Sequence, residues 1–356
     1  LTYGVSSTGR RYLDTVTPYN GAGTAALPAT NLDYVELNNK PWCPSAPPGS
    51  FGASTFAYPR LSTISNGYGA VEQFTYVAET AWGDWDGCNG ALFNYQVQQQ
   101  QTYDGLHSTP ALQTLSYASA YTKDHLVKGY GQVTALAYDY AGALLQKTRH
   151  VFHNDAGASN DDLRGRERCT EVISGTQTLH KTETTWEVRA IPNTSAKFVV
   201  ATVVDNTDET NVTVHTTYEY DGYGNVTREY QHGVATAGDE RSVHHEYHNI
   251  ADPAAGRWLI GLKWKTDIYS GTITSDDPDR VALQTYWYYD DPTHDVTKTT
   301  STHISKGNLT MQGQGSYSQR ANGGFVTTQY KVDNWGNTIV VTDTRSYPTT
   351  TAYDLN

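Results

Sequence analysis

One ten-residue pattern occurs twice in this chain and restricts what it can fold into. Tyr218-Glu219-Tyr220-Asp221-Gly222-Tyr223-Gly224-Asn225-Val226-Thr227 aligns with Tyr330-Lys331-Val332-Asp333-Asn334-Trp335-Gly336-Asn337-Thr338-Ile339. The shared core is Tyr, any residue, Tyr or Val, Asp, any residue, an aromatic, Gly and Asn. Tyr138-Asp139-Tyr140-Ala141-Gly142-Ala143-Leu144 is a worn copy, and Tyr353-Asp354 has the opening of a fourth. Tyrosines at alternate positions place their rings on one face of a pleated strand, where cross-strand pairs stabilise by about 0.2–1 kcal/mol each. The Asp can accept from backbone N–H groups two residues on, the Gly supplies a positive φ, and the Asn tolerates left-handed geometry. The pattern is therefore strand, turn, strand. A single such unit cannot cover its own apolar face, so neighbouring units must add to one another.

The rest of the sequence agrees. Its 27 Tyr, 8 Trp and 31 Gly, beside one Met, suit aromatic strands joined by tight turns. No stretch keeps apolar residues at helical spacing for three turns, whereas alternation recurs. The expected fold is all-β, made of repeat-built antiparallel hairpins spiralling into an extended sheet or hollow shell. Three hairpins can be placed: Leu61–Ser65 to Val71–Val77 through Asn66-Gly67, Phe198–Val204 to Val212–Tyr218 across the polar turn Asp205–Thr210, and Gly324–Tyr330 to Thr338–Thr342 through Asp333–Asn337. Residues 1–57 read as an irregular β entry, with strand-like Arg11–Thr17 and Leu32–Leu37. Residues 58–356 read as the hairpin region, expected to continue past Asn356 because the chain stops on what looks like a new repeat. A net charge of −12 disfavours nucleic acid, and no apolar run has the length of a membrane-spanning helix.

Residues Tyr218–Thr227 match position for position the motif of the RHS/YD-repeat family, which reads approximately Tyr-x-Tyr-Asp-x-x-Gly-Asn-Leu/Val-Thr, and the chain resembles that family. The resemblance implies long hairpins spiralling into a hollow cocoon, as in bacterial polymorphic toxins, toxin-complex B and C components and teneurins. It implies a non-catalytic wall, secreted or at the cell surface, that encloses or displays its own C-terminal segment or a partner polypeptide. Family members often carry a self-cleaving core and a variable toxic tail; nothing within these residues matches either. On this reading Tyr218, Tyr220, Asp221, Gly224, Asn225, Tyr330, Asp333, Gly336 and Asn337 are structural repeat residues.

Other residues support rival readings. His244, Glu246 and His248 alternate along a strand and could offer two ligands to a metal, although His245-Glu246-Tyr247-His248 is one residue short of the metalloprotease spacing. The bland alternative is an ordinary polar strand face, and no cofactor is expected. Asp84-Trp85-Asp86-Gly87-Cys88 is similar to a calcium loop, but Cys88 takes a ligand position and Tyr95 stands where the closing Glu belongs. Asp276-Asp277-Pro278-Asp279 and Asp290-Asp291-Pro292 read as solvated turns. Cys43, Cys88 and Cys169 fit no zinc spacing, and a Cys43–Cys88 disulfide stays open for an exported protein. Sequons stand at Asn193, Asn211, Asn225 and Asn308. Exposed aromatics, above all Trp287 and Tyr289, would give an adhesin that holds cell-surface glycans; Tyr286 and Tyr288 would face the other way. A hydrolase on a β scaffold is a further alternative, for which no nucleophile or phosphate-loop motif is present.

Overall fold

The computed structural model describes residues 1–38, 57–85, 88–123, 126–154, 158–191, 195–234, 238–252, 256–273, 275–277, 280–291, 293, 304–316 and 324–353. Among these are 21 strands, assigned to one sheet and paired antiparallel, and one short 3-10 turn at Ala158–Leu163. The expected all-β hairpin fold is what the chain adopts.

The chain divides into two compact units, Leu1–Glu183 and Thr184–Asn356. The first holds β1 (Thr2–Val5), β2 (Arg11–Val16), β3 (Thr30–Asn38), β4 (Ala57–Ser65), β5 (Val71–Trp85), β6 (Cys88–Tyr103), β7 (Ala111–Lys123), β8 (Leu126–Tyr138), β9 (Leu144–Phe152), β10 (Glu167–Ser174) and most of β11 (Gln177–Ala190). Each strand pairs with the next in sequence, so the unit is an uninterrupted meander. The two strand-like stretches of the entry segment are β2 and β3.

The second unit continues the same order with β12 (Lys197–Asp208), β13 (Thr213–Tyr220), β14 (Val226–Gln231), β15 (Arg241–Asp252), β16 (Arg257–Ser270), β17 (Val281–Tyr289), β18 (Leu309–Gly315), β19 (Val326–Val332), β20 (Thr338–Thr342) and β21 (Pro348–Thr350). The three expected hairpins are β4–β5, β12–β13 and β19–β20. The middle one turns later than its polar residues suggest: Asp205 and Asn206 lie inside β12, opposite His215 and Val214, and the chain reverses only at Asp208–Val212.

The core lies in the second unit, on the face of β17 that carries Tyr286 and Tyr288. Both are buried with Met311 of β18, and Trp264 and Phe325 pack against them. Register explains the packing. Tyr288 stands opposite Met311 and Tyr286 opposite Gly313, and a Cβ on Gly313 would come within 3.0 Å of the Phe325 ring. The missing side chain is what admits Phe325 onto Tyr286, at 5.7 Å between ring centroids.

Candidate functional site

The repeat residues build one turn. Asp221 N–H donates to Asn225 O (3.0 Å) and Gly224 N–H to Asp221 O (3.2 Å). Asp221 Oδ1 accepts from the N–H groups of Tyr223 and Asn225, both at 2.9 Å, and Gly224 has φ +88°. This is a three-residue hairpin loop, a tight turn followed by a left-handed residue. The second copy repeats it bond for bond at Asp333–Asn337, with Gly336 at φ +89°, and Asp139–Ala143 repeats it with Gly142 at φ +80°. In both full copies the Asn is not left-handed as the spacing suggests. Its side-chain amide instead donates to the second carboxylate oxygen of the Asp, at 2.8 Å from Asn225 and 2.9 Å from Asn337. These bonds hold the Asp221 and Asp333 carboxyls below the usual range; for Asp221, partial burial opposes them.

The same turn occurs where the motif is illegible. Asp208–Val212 and Asp343–Tyr347 have all four of its backbone N–H bonds without the amide bond, with Asn211 (φ +63°) and Ser346 (φ +66°) in place of the glycine. Ser6–Arg10 keeps the backbone bonds, with the serine hydroxyl in place of the carboxylate. Asn66 does the carboxylate's work for Tyr68 and Ala70, so Asn66-Gly67 opens a longer turn instead of forming the centre of a two-residue one.

A further copy is split by an insertion. Tyr289 ends β17 with Asp290 just beyond it, and Gly307-Asn308 leads into Leu309-Thr310 at the start of β18, supplying the two halves of the motif on either side of residues 291–306. Asp290 N–H donates to Asn308 O (2.8 Å), as Asp221 does to Asn225, and Gly307 has φ +78°. The Asp290 carboxylate accepts from four backbone N–H groups, of Ser305, Lys306, Gly307 and Asn308, at 2.7–3.0 Å. The expected solvated turn at Asp290-Asp291 is thus corrected. Asp290 closes the base of the insertion, and Asp291 is fully buried and accepts from Thr293. The sequons at Asn225 and Asn308 are the motif's own Asn-Val-Thr and Asn-Leu-Thr. Asn193 lies outside the described residues.

Tyrosine hydroxyls complete the repeat. Each of the three contiguous copies is followed by a bulge at the same motif position, Leu145, Thr227 or Ile339, where the pairing skips one residue. A bulge leaves a backbone carbonyl without its ladder partner. Tyr353 Oη donates to Thr338 O, the residue before the bulged Ile339 (3.0 Å). At other bulges, Tyr76 donates to Leu61 O (2.6 Å), Tyr117 to Val97 O (2.6 Å) and Tyr289 to Lys263 O (2.8 Å). Here the skipped residues are Ser62, Gln98 and Trp264. Tyr220 also donates to a strand carbonyl, Ala201 O (2.5 Å). Tyr220 of the motif therefore acts through its hydroxyl as well as its ring, while ring pairs occur in both units, Tyr12 with Tyr34 and Tyr117 with Tyr130 in the first and Tyr286 with Trp264, Tyr288 and Phe325 in the second.

The histidine cluster is divided among separate partners. Buried His244 places Nδ1 2.9 Å from Asp276 Oδ1 and Nε2 2.8 Å from Ile273 O, which fastens the segment after β16 to the sheet. Asp276 stays exposed, as expected of a solvated turn, and in addition bonds His244, which holds its carboxyl below the usual range. Glu246 pairs with Lys265 (2.9 Å), which also pairs with buried Asp267 (2.7 Å). His248 stacks on Trp264, 5.5 Å between centroids. Among the described residues no three His, Cys, Asp or Glu side chains come together as a metal site would require. Asp267 also accepts from Gln284 Nε2 (2.8 Å) and Tyr269 Oη (3.3 Å), so the most buried carboxylate of the row is saturated with donors.

On β17, Tyr286 and Tyr288 are buried while Trp287 and Tyr289 occupy the other, half-buried face. The Lys263 ammonium stands 5.8 Å from the Trp287 centroid. Cys169 is a free thiol, pushed up by burial. Cys43 and, within the calcium-like stretch, Asp86 and Gly87 lie outside the described residues, as do the side chains of Asp84, Trp85 and Cys88; the backbones of Asp84 and Trp85 end β5, paired with Asn89 and Cys88 of β6.

No protein-family model and no curated protein matches this sequence. By fold it is similar to solved toxin-complex structures. The crystal structure of TcdB2-TccC3-TEV aligns over 97% of this chain with a TM-score of 0.53 at 11% identity, and TcdB2-TccC3 without its hypervariable C-terminal region aligns over 97% with 0.52 at 11%. The Tc holotoxin pore of Photorhabdus luminescens aligns over 99% with a TM-score of 0.57 at 10% identity. In each case the chain spans 26% of the length of the solved chain. The likeness establishes a shared fold. Among the described residues no helix is long and apolar enough to cross a membrane.

Proposed function

We propose that this chain is a length of non-catalytic wall in an exported toxin-complex-type β shell of the RHS/YD class, one that encloses or displays another polypeptide segment. The observation that carries the reading is a fold held in common with TcdB2-TccC3 over 97% of the chain despite 11% identity. Such agreement without sequence likeness is what a repeat-determined meander produces, because turns and bulges rather than particular core residues set the register. The polar residues that first suggested chemistry support the same role. His244, Glu246, Asp267 and Asp290 are engaged with partners inside the wall. Trp287 and Tyr289 give no specific support to adhesion, since the Tyr289 hydroxyl is bonded to Lys263 O and Trp287 lies beside the Lys263 ammonium.

Electron microscopy of the native protein containing this chain, combined with limited proteolysis, tests the proposal. A hollow particle with a polypeptide segment that resists protease until the wall is unfolded by denaturant is the expected result. A solid particle, or cleavage of every segment outside the wall at the rate of an unfolded chain, would overturn it.

A further inference from the structure

Four hydrogen bonds fasten the segment after β16 to two side chains of β15, and together they need a proton that a neutral histidine does not have. Ser242, with no exposed surface, donates its hydroxyl to Gly271 O and accepts from Ile273 N–H, both at 2.8 Å. His244, 5% exposed, lies two residues further along the same face, with Nδ1 2.9 Å from Asp276 Oδ1 and Nε2 2.8 Å from Ile273 O. A carbonyl oxygen only accepts, and so does an ionised carboxylate. Asp276 is ionised at neutral pH, because its bond to His244 holds its carboxyl below the usual range. A neutral imidazole carries one N–H, so only the doubly protonated ring makes both bonds.

The charged groups around the ring are engaged elsewhere. Arg228 of β14 stands opposite His244 and pairs with Glu219 (3.6 Å). Asp267 of β16, opposite on the other side, pairs with Lys265 (2.7 Å), as does Glu246 of β15 (2.9 Å). The rings of Tyr230 and Tyr269 flank the imidazole at 6.2 and 4.6 Å between centroids. His245 belongs to the other face, with Nδ1 2.7 Å from Thr266 Oγ1. Asp276 is therefore the carboxylate that His244 answers to.

We propose that the second proton on His244 is a latch: residues 271–273 are clamped to β15 while the ring carries two protons and loosen when it loses one. Closing takes up a proton, so by linkage the closed state is favoured as pH falls and is lost as pH rises through the titration of the ring. The loosening has a definite place. The N–H shared with the anionic Asp276 makes the stronger bond, so deprotonation strips Nε2 and turns its lone pair toward Ile273 O. Ser242 is left to hold the segment alone, and it frays at Ile273, whose side chain is 4% exposed when closed. The latch does not depend on the shell reading.

Hydrogen exchange of the Ile273 amide in the native protein containing this chain tests it, with rates expressed as protection so that the intrinsic effect of pH is removed. Between about pH 5 and 8, where histidine ordinarily titrates, protection at Ile273 should fall by about tenfold while the amides of β16 keep theirs. Asp276→Asn is the discriminating variant. Its side-chain N–H can donate to the bare Nδ1 of a neutral ring whose Nε2–H serves Ile273 O, so Ile273 should stay protected to the top of the range. His244→Gln should be loosened alike at every pH, and Ser242→Ala should be loosened at every pH yet keep the fall. Constant protection at Ile273 in the wild type would overturn the proposal, as would a fall that persists in His244→Gln or is undiminished in Asp276→Asn.

Discussion

Leu1–Glu183 and Thr184–Asn356 use the same turns, bulges and hydroxyl caps, yet they bury very different things. In the second unit Tyr230, Val243, Tyr269, Ile273, Tyr286, Tyr288, Ile304 and Met311 are among the buried apolar residues. In the first, among the described residues, only Tyr130 and Ala135 are buried apolar side chains. Its long strands nevertheless stay paired, β7 with β8 from Leu112 opposite Tyr138 to Lys123 opposite Leu126, with one register shift between Tyr121 and Thr122. The ladder and its corners can therefore specify a hairpin with little apolar core beside it. Where inserted segments fold back, as at Ile273 and Ile304, the same ladder gains a core. A wall assembled in this way tolerates sequence change on its faces and depends on its corners.

Substitutions can break or sharpen this contrast. The largest effect belongs to the core that only the second unit has: Tyr286→Ala should cost about 4 kcal/mol in denaturant unfolding, with Tyr130→Ala costing about half as much. Next come the corners. Asp221 accepts from two backbone N–H groups and from the amides of Asn225 and Asn249, and Asn249 in turn accepts from Gly261 N–H. Asp221→Ala should cost about 3 kcal/mol, whereas Asp343→Ala, at an exposed corner without a neighbouring amide, should cost about 1 kcal/mol. Equal costs would show that corners do not differ by what they dock against. The smallest effect concerns hydroxyls. Tyr117→Phe removes the bond to Val97 O and should cost about 1 kcal/mol, while Tyr130→Phe removes a buried hydroxyl with no partner and should be neutral or stabilising.

Acidity adds a separate test. Burial, then Lys263 and His244, push the His245 ring down from 6.5 to about 4. The folded value lies below the unfolded one, so its contribution to stability is whole above about pH 6.5 and lost as pH falls towards 4. Melting midpoints should fall across that window, and His245→Gln should flatten the fall.

Much of the hairpin order was legible because alternating apolar residues and Asp-x-x-Gly corners are local signals, and Tyr218–Thr227 and Tyr330–Ile339 carry both. The corners at Ser6, Asp208 and Asp343 were hidden because Ser, Asn or Ser-bearing variants satisfy the same bonds with different letters. The split copy was hidden by distance: Tyr289-Asp290 and Gly307-Asn308-Leu309-Thr310 are adjacent only after the insertion folds, although the second half alone matches the motif's ending. The partners of the His244 cluster were hidden as well, since alternation puts residues on one face without saying that each meets a different neighbour across the strands. Asp276, Lys265 and Trp264 reach it from other strands and loops, which no spacing within β15 could reveal.

Residue-resolved hydrogen exchange at the fifth position of the corners is the most direct measurement. The amides of Ala143, Val212, Asn225, Asn337 and Tyr347 each donate to an Asp carboxylate. They should exchange as slowly as the strand amides beside them, in both units alike. Rapid exchange at these five positions, with the adjacent strands protected, would contradict the idea that one recurrent carboxylate-closed corner sets the register of the wall.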